Sequence, residues 1–599
     1  MLRWSFGLFI CLFGSALQAA EPVTKNVILI VIDDLGRNDL GCYGSKYYRT
    51  PNLDAFAKTG LQFQDFYAAC PVCSPTRASI MTGKYPARLN LTDWLPGRGD
   101  LPAQKLKRPE IARQLPLEEV TIAEALRQKG YVTGHIGKWH LGGEGYSPTE
   151  QGFQVNIAGD HTGTPASYFA PFKNAQGKFI PGLQDAKAGE YLPDRLAMEA
   201  EKFLETNKEK PFFLYLPHYS VHTPMRAKQE MIDSYPKGGR PGSQSNPVYA
   251  AMVQSMDEAV GRVIKKVEQL GLDKNTAIFF TSDNGGLSVV EGQNTPATSN
   301  APLREGKGYL YEGGVRVSML ARVPGLTKAD TKTKAVACSV DLFPTILDLC
   351  GITQAGKVDG VSLKSVLADP AKNQERTLYW HYPHYSNQGG RPGSAIRHGN
   401  MKLIEFAEDG RTELFDLEKD QSENRNLAQE KPEVVKDLLV KLNQWRSDVG
   451  AKMMTPNEAY KPNPQDAKGL VTLHGKSAQV HGVMLRFEPA VHKNTLGFWV
   501  NDKDWASWEF EVSKPGKFKI EVTQGCGTGQ GGSDVKVVVG GNEIPFVVED
   551  TGGFQAFKPR IVGEVNIDSS GRKTLEIRVV KKAKAAVMDV QQVRLIPVS

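Results

Sequence analysis

The sequence predicts an α/β fold with a large, mostly parallel central sheet, followed by a smaller α+β unit and an appended β-sandwich. Residues 26–32 form a continuous, largely β-branched apolar run, as expected for a strand buried on both faces of a parallel sheet. Similar runs alternate with helical segments farther along the chain. After about residue 470 the pattern changes to short strands of alternating polarity, separated by Gly and Pro, which is typical of a β-sandwich.

The elements also suggest where the units begin and end. In the helical segment 121–129, Thr121 and Glu124 form a capping box at the start, and Gly130 ends the helix. The chain has 599 residues, whereas single cores stop growing near ~250–300 residues, so more than one unit is expected. The predicted units are a signal at 1–20, the large α/β unit at 21–345, the smaller unit at 346–450, a linker rich in Pro, Asn and Lys at 451–469, and the β-sandwich at 470–599.

Polar side chains follow four of the predicted strands at the point where each strand ends. Ligands of open α/β sheets bind outside the carboxyl ends of the strands, so these groups are expected to share one site. Solubility alone does not explain why charged residues stand at the ends of buried strands. The residues are Asp33 and Asp34 after 26–32, Lys138 and His140 after 131–136, His218 and His222 after 212–216, and Asp283 and Asn284 after 277–280.

The most informative stretch is 73–79, which reads Cys-Ser-Pro-Thr-Arg-Ala-Ser. Pro75 suits the first turn of a helix, because its φ is fixed and its missing N–H is not needed there. Cys73 would then lie at a helix N-terminus, where backbone N–H groups and the macrodipole favour an anion. Arg77 follows four residues later and shares a helical face with Cys73. This arrangement suits a sulfate or phosphate group.

Cys70 and Cys73 also form a Cys-x-x-Cys pattern, which elsewhere indicates a redox pair or half of a metal site. A redox motif should lie in a short βαβ domain, and a zinc site needs a second Cys or His pair. Neither is visible in the sequence, so the anion-site interpretation is favoured.

Composition is ordinary for a globular protein, with 40% hydrophobic and 23% charged residues and a net charge of +7. We expect no nucleic acid partner. Five cations that follow the Cys73 segment would suit either an acidic polymer or a solvated loop: Arg98, Lys105, Lys107, Arg108 and Arg113.

The first 20 residues are typical of a secretory signal. Arg3 supplies the positive start, residues 6–17 the apolar stretch, and Ala19-Ala20 the small-residue exit. The apolar run is too short for a membrane span, so none is expected after signal removal, and the predicted location is periplasmic or secreted. Removal leaves six of the seven cysteines, and their wide spacing does not predict a disulfide framework.

Residues 73–77 resemble the Cys-x-Pro-x-Arg signature of type I sulfatases, and the segments 80–86 and 130–142 resemble further motifs of that family. The resemblance covers roughly residues 24–450. It implies an alkaline-phosphatase-like fold and hydrolysis of sulfate esters. It also implies that a formylglycine-generating or anaerobic sulfatase-maturating enzyme oxidises Cys73 to formylglycine, whose hydrated aldehyde is the nucleophile.

The same resemblance assigns further roles by motif. Arg77, Lys138 and Lys307 would hold the sulfate group and the residue at position 73. His222 matches the general acid, with His218 as its rival, and His140 matches the histidine that assists release of sulfate. The implied ligands of one divalent cation, whose hard oxygen atoms suit Ca²⁺, are Asp33, Asp34, Cys73, Asp283 and Asn284.

The family resemblance implies that loops around the site recognise the substrate. Similarity that includes residues 156–171 implies a sulfated saccharide of the galactose type as substrate. Glu305 stands where the family usually has glycine, so the loop that carries Lys307 departs from the pattern. The candidate substrate residues are His161, Arg304, His381, His384 and Arg391.

The C-terminal module, with Trp499, Trp505 and Trp508, is loosely similar to family-6-like carbohydrate-binding modules. Its tryptophans could bind glycan or fill the core of the module, and both interpretations stay open. The whole sequence predicts a secreted, calcium-dependent sulfatase. Two alternatives stay open: a phosphodiesterase or phosphonate monoester hydrolase of the same superfamily, and an inactive sulfatase-like glycan-binding protein.

Overall fold

The computed structural model describes residues 23–174, 176–239, 242–353, 356–372 and 375–598, so the predicted signal lies outside the described residues. The strands up to residue 338 are β1 (Asn26–Ile32), β2 (Leu61–Tyr67), β3 (Leu106–Lys107), β4 (Val132–Ile136), β5 (Val155–Ile157), β6 (Phe212–Pro217), β7 (Thr276–Ser282), β8 (Arg316–Arg322), β9 (Thr331–Thr333) and β10 (Ala337–Cys338). The α-helices are α1 (Pro51–Ala57), α2 (Cys73–Thr82), α3 (Ile122–Arg127), α4 (Leu192–Asn207), α5 (Gln229–Asp233), α6 (Pro247–Gln269), α7 (Glu312–Val315), α8 (Leu342–Leu349), α9 (Lys364–Ala368) and α10 (Pro432–Val449).

A nine-stranded sheet forms the centre of the molecule. Its order is β10-β2-β8-β7-β1-β6-β4-β5, with β9 paired to β2. The described strand pairs are parallel except those of β8, which runs antiparallel to β2 and β7. β1 lies between β6 and β7, and all seven of its residues are buried. The predicted α/β fold with a mostly parallel sheet is therefore confirmed.

Helices cover both faces of this sheet, because side chains alternate between the two faces along each strand. Ile28, Ile30 and Ile32 pack into a core formed with α1, α4 and α6. Val27, Leu29 and Val31 pack into a second core formed with α2, α3 and α8. The predicted capping box of α3 is present, with the Thr121 hydroxyl accepting from the Glu124 N–H.

A smaller antiparallel sheet follows, with strands β11 (Thr377–Tyr382), β12 (Gly393–His398), β13 (Met401–Phe406) and β14 (Thr412–Asp416) paired in sequence order. It shares a core with α10. A buried cation joins it to the central part: Lys402 Nζ lies 2.9 Å from Glu312 and 3.0 Å from Glu423. The predicted smaller α+β unit thus packs against the central sheet rather than standing apart from it.

The segment predicted as a linker lies against the surface. Strand β15 (Thr455–Pro456) pairs with β3, and the Asn457 side chain donates to the carbonyls of Leu101 and Gln104. Backbone and side-chain hydrogen bonds therefore hold this segment to the loop that follows α2.

The C-terminal region forms two packed antiparallel sheets, as predicted for a β-sandwich. One sheet has the order β18-β19-β26-β21-β24, with β16 paired to β26, and the other β17-β20-β25-β22-β23. The strands are β16 (Val471–His474), β17 (Gln479–His481), β18 (Arg486–Glu488), β19 (Thr495–Gly497), β20 (Trp505–Val512), β21 (Gly516–Cys526), β22 (Asp534–Val539), β23 (Asn542–Val547), β24 (Gly553–Ile567), β25 (Gly571–Lys581) and β26 (Asp589–Pro597).

The three tryptophans of this region do not share one surface. Trp499 and Trp508 are buried in the core between the two sheets. Trp505 has the His481 ring stacked on it at 3.6 Å, and the Arg578 guanidinium lies 3.7 Å from its ring centre. Two of the tryptophans therefore fill the core of the β-sandwich.

Candidate active site

Four neighbouring strands bring the predicted site residues together. β7, β1, β6 and β4 are adjacent and parallel, so their carboxyl ends lie at one edge of the sheet. The N-terminus of α2 lies at the same edge, since Cys73 contacts a residue that follows β4. Lys307 reaches this edge from a loop before α7. The sequence-based expectation of one site at these strand ends agrees with this arrangement.

Cys73 is the first residue of α2 and is buried. Its Sγ lies 3.4 Å from His140 Nδ1. Burial raises the pKa of the Cys73 thiol, although the nearby Lys138 opposes the rise. Cys70 and Cys73 are both free cysteines, as are the other four cysteines among the described residues. The unmodified thiol is therefore a weak nucleophile at neutral pH.

Three buried ion pairs surround the strand ends. Lys138 Nζ lies 2.7 Å from Asp33 Oδ2, and Lys307 Nζ lies 2.8 Å from Asp34 Oδ2. Arg77 contacts the Asp283 carboxylate at 2.8 Å and donates to the carbonyl of Lys138. Each of these carboxylates thus has a cationic side chain beside it.

The pKa values of Asp34 and Asp283 are shifted in opposite directions. Burial by itself would raise the pKa of Asp34, but Lys307 and His222 outweigh it and lower that pKa to about 2. Burial and the neighbouring Asp33 raise the pKa of Asp283 to about 6 despite the contact with Arg77. The carboxylates thus lie close enough together for Asp33 to influence the pKa of Asp283.

Two oxygen atoms at this edge fit a divalent cation. Asp33 Oδ1 and Asn284 Oδ1 are buried and have no hydrogen-bond partner among the described residues. The Asn284 amide nitrogen donates to Asp34 Oδ1 at 2.8 Å, so the side chain is fixed while its carbonyl oxygen stays available. Ligand atoms of Asp33, Asp34 and His222 all lie within 4.8 Å of one another. Carboxylate and amide oxygens are hard ligands, so this donor set fits Ca²⁺ or Mg²⁺.

His222 is held in one tautomer by its two neighbours. The Thr223 carbonyl lies 2.8 Å from Nδ1 and can only accept, so the proton is assigned to Nδ1. Nε2 then accepts from the Lys307 ammonium at 2.9 Å. Burial, together with Lys307, lowers the pKa of His222 to about 4, so the ring is neutral at pH 7. The alternative, His218, is buried, and neither of its ring nitrogens has a hydrogen-bond partner in the part of the chain that the structure describes.

Backbone strain accompanies these contacts. Asp34 has φ +61°, His140 has φ +57° and Glu305 has φ +58°, in the region that favours glycine. Such conformations cost on the order of 1–3 kcal/mol and cluster at functional sites. Glu305, which replaces the expected glycine, thus keeps the left-handed conformation at a conformational cost.

A cavity of about 750 Å³ opens above this edge. Its lining includes Cys73, His140, His161, His222 and Lys307. Sequence reasoning missed other lining residues, because they lie on loops without a motif: Trp94, Glu144, Glu291 and Gln388. The amide of Gln388 donates to Glu291 at 2.6 Å and thereby ties the smaller sheet unit to the rim of the cavity.

The candidate substrate residues are divided by the structure. His161 lines the cavity, whereas the described lining does not include His384, Arg304, His381 or Arg391. His384 bonds to the Thr92 hydroxyl, His381 contacts Ser394 and the Lys452 carbonyl, and Arg391 contacts Glu408 and the Ala478 carbonyl. Arg304 pairs with Glu413 and stacks on Tyr311. These four side chains are engaged by the protein itself.

Comparison with known proteins decides the family. The family model described as Sulfatase matches residues 25–352, more than half of the chain. The chain belongs to the sulfatase family. A model described as N-sulphoglucosamine sulphohydrolase, C-terminal, matches residues 306–448, and one described as a domain of unknown function (DUF5077) matches residues 487–596.

Named relatives agree with this assignment. Arylsulfatase A of Homo sapiens is 32% identical over 480 residues, which cover 71% of this chain and 88% of the relative. N-acetylgalactosamine-6-sulfatase of Rattus norvegicus is 32% identical over 368 residues, covering 58% of this chain and 66% of the relative. The sulfatase is therefore a sulfuric ester hydrolase, and such enzymes generally use formylglycine and a divalent metal.

Solved structures share the fold. Ps i-CgsB in complex with k-i-k-neocarrahexaose has a TM-score of 0.60 and 30% identity, covering 72% of this sulfatase and 93% of that chain. A phosphonate monoester hydrolase of Agrobacterium radiobacter has a TM-score of 0.53 and 19% identity, covering 72% and 96%, which is a likeness of fold alone. The expected alkaline-phosphatase-like architecture is thus confirmed. Within the described residues, no helix is long and apolar enough to cross a membrane.

Proposed function

We propose that this sulfatase is exported and removes sulfate from a sulfated carbohydrate of the galactose type, using formylglycine at position 73 and one calcium ion. The observation that carries the proposal is the convergence of Cys73, His140, His222 and Lys307 on one cavity, with Lys138 buried beside Asp33 at the same strand ends. Positive charge and a helix N-terminus at the same point favour an anionic group.

The lysines would stabilise the sulfuryl group. The Lys138 and Lys307 ammonium groups lie beside Asp33 and Asp34, each at a hydrogen-bonding distance, so both are held in fixed positions. Fixed cations stabilise negative charge that develops on the sulfuryl oxygens without reorganising at the moment of reaction. Arg77, bonded to Asp283, would fix the residue at position 73 from the helix side.

Proton transfer would involve the two histidines. Formylglycine at position 73 would supply the nucleophilic hydroxyl. His140 Nε2 contacts the Leu95 carbonyl, which can only accept, so Nδ1 faces position 73 without a proton and can take one up. On the other side, Lys307 donates to His222 Nε2, so Nε2 would pass the Lys307 proton to the leaving oxygen and leave Lys307 neutral.

The calcium ion would be held by the unpartnered oxygens Asp33 Oδ1 and Asn284 Oδ1, together with the carboxylates of Asp34 and Asp283. Chelator treatment is expected to lower the melting temperature. Calcium is expected to restore it better than magnesium, since the site is rich in carboxylates and Mg²⁺ gives up its water ligands reluctantly. Asn284→Ala is expected to reduce this calcium-dependent shift. A melting temperature that changes neither with chelator nor with added calcium would contradict the assignment.

The substrate class rests on two supports. Relatives carry the name N-acetylgalactosamine-6-sulfatase, and a solved relative holds a neocarrahexaose. The cavity volume of about 750 Å³ would accommodate a sugar ring with its sulfate. Export is supported by the signal-like first 20 residues.

The decisive experiment measures sulfate release from a panel of defined sulfated mono- and oligosaccharides. Cys73→Ala should abolish release, whereas the matched control Cys70→Ala, which alters a buried thiol bonded to the Thr92 carbonyl, should retain it. Peptide mass should show formylglycine at position 73. Release of sulfate from saccharides sulfated at one position only would identify the substrate. Faster turnover of an aryl phosphate diester than of any sulfate ester would contradict the proposal.

A further inference from the structure

A second cavity, of about 680 Å³, lies between the catalytic part and the β-sandwich. One wall is the segment 296–305, which leads into the loop of Lys307. The other wall is residues 486–493, from β18 into the turn that follows. Among the described residues, this interdomain cleft shares no lining residue with the active-site cavity. It is therefore a separate site.

The cations of the interdomain cleft are not equally neutralised. Arg304 lies 3.4 Å from Glu413, and Lys493 lies 2.5 Å from Glu488. Arg486 also lines the cleft, but within the described part of the chain it forms no ion pair and donates only to the neutral Asn424 Oδ1, at 2.8 Å. Arg486 is thus a guanidinium without a carboxylate partner.

Glu305, the remaining carboxylate in the cleft, does not provide Arg486 with a paired negative charge. Glu305 Oε1 lies 4.0 Å from Arg304 Nε, and burial raises the pKa of Glu305 to about 7. Arg304 Nε is itself buried without a hydrogen-bond partner among the described residues. Burial and the nearby Arg304 lower the pKa of Arg486 to about 10. Arg486 therefore faces the cleft without a carboxylate partner. Arg304 is paired with Glu413 and donates to the Glu423 carbonyl through Nη1, but its Nε has no acceptor among the described residues.

Arg486 is held in place rather than free to move. Its guanidinium stacks 3.7 Å from the centre of the Phe498 ring. Phe498 is 37% exposed and has φ +57°, a rare conformation for a bulky residue. A strained aromatic that fixes a guanidinium reduces the entropy lost when a ligand binds it.

We propose that Arg486 and Arg304 form a second anion-binding site, which holds a sulfate group of the carbohydrate polymer away from the sulfate being hydrolysed. Guanidinium groups bind planar or tetrahedral oxyanions through paired N–H donors, and such charged hydrogen bonds are strong. The inference rests on the proposed function, because the polymer that supplies the distant sulfate is its substrate.

The test compares binding of dextran sulfate, with uncharged dextran as control, by affinity electrophoresis of Cys73→Ala protein. Arg486→Ala in that background is expected to weaken binding about 10-fold. The matched control is Arg594→Ala, which removes an arginine of the same β-sandwich that is already paired with Glu521, and it should change little. Arg486→Lys keeps the charge but loses the paired donors, so an intermediate loss is expected.

Aryl sulfate turnover separates this inference from the proposed function. Arg486→Ala in otherwise wild-type protein should hydrolyse a small aryl sulfate at the normal rate, because the described linings of the interdomain cleft and the active-site cavity have no residue in common. Failure of the wild-type protein to hydrolyse any sulfate ester would refute the function, while the binding comparison would still decide the second site. Unchanged dextran sulfate binding in both Arg486 variants would overturn the inference. If Arg486→Ala does not fold, Arg486→Lys decides it.

Discussion

At the scale of single residues, the contact between His222 and Lys307 bears on how the leaving oxygen would be protonated. The ring is neutral at pH 7 because burial and Lys307 lower its pKa to about 4. If His222 protonates the leaving oxygen, its Nε2 would pass on a proton from the Lys307 ammonium, from which it accepts at 2.9 Å, and Lys307 would be left neutral. Burial by itself would lower the pKa of Lys307, but Asp34 outweighs it and raises that pKa, so the transfer would be completed only as negative charge develops on the leaving oxygen.

His222→Ala should reduce turnover of sugar sulfates by roughly 100-fold or more, in line with the usual contribution of general acids. Turnover of an activated aryl sulfate should fall far less, because a good leaving group needs little protonation. The measurement is kcat on both substrates for the same preparation. Equal losses on the two substrates would argue against a role for His222 in protonation.

A neighbouring histidine provides a test of burial. His218 is fully buried and makes no hydrogen bond to any described residue, and burial lowers its pKa to about 4. The unfolded chain, with a pKa near ~6.5, binds more protons than the folded chain between about pH 6.5 and pH 4. Stability that depends on neutral His218 is therefore present above about pH 6.5 and lost as the pH falls toward 4.

His218→Leu removes this titration. The difference in free energy of unfolding, variant minus wild type, should become about 2 kcal/mol more favourable to the variant between pH 7.5 and pH 5. Urea unfolding at both pH values measures it. The same difference at both values would show that His218 is not buried in neutral form.

At the scale of elements, α2 carries Cys73 at one end and is fixed at the other by Gly83. Gly83 has φ +69°, and its N–H bonds to the Ser79 carbonyl, so it caps the helix. A Cβ there would lie 3.0 Å from Phe343 Cβ, on the neighbouring helix α8. The cap thus fixes both the length of α2 and its distance from α8.

Gly83→Ala should destabilise the protein by more than the ~1–2 kcal/mol that a left-handed alanine costs by itself. The matched control is Gly130→Ala, since Gly130 has φ +84° but no atom of the described residues lies within 4 Å of an added Cβ. The excess measured by urea unfolding would be the cost of the contact with Phe343. Equal losses for the two variants would mean that Phe343 moves aside freely.

At the scale of the whole molecule, the β-sandwich is tied to the rest by several separate contacts. Arg391 donates to the Ala478 carbonyl, the Gln479 amide donates to Asp409, and the Asn426 N–H donates to the Val483 carbonyl. The β3–β15 pairing adds a further attachment. The catalytic part and the β-sandwich should therefore respond to heat together.

Calorimetry should show one cooperative melting transition rather than two. Arg391→Ala, which removes the contacts with Glu408 and the Ala478 carbonyl, should begin to separate the transition of the β-sandwich from that of the catalytic part. As a control, Arg594→Ala alters a surface pair within the β-sandwich and should keep one transition. Two well-separated transitions in the wild-type protein would contradict this coupling.

Much of this protein follows from its sequence, because the relevant signals are local. The buried run 26–32, the capping box at Thr121 and the proline after Cys73 each depend on a few neighbouring residues, and each predicted its element. The polar residues at strand ends follow from the same periodicity, since parallel strands end at one edge. The roles given to those residues stay predictions until turnover is measured.

Other features depended on contacts between residues far apart in sequence, and only the tertiary structure decided them. Arg304 faces Glu413, 109 positions away, and Glu291 meets Gln388, 97 positions away. Nothing local marks Trp499 and Trp508 as core residues rather than a glycan surface. The sequence by itself determined the α/β fold and the composition of the strand-end site. Side-chain partners across the molecule, which depend on packing and charge between distant segments, decided which groups remain free to bind a ligand.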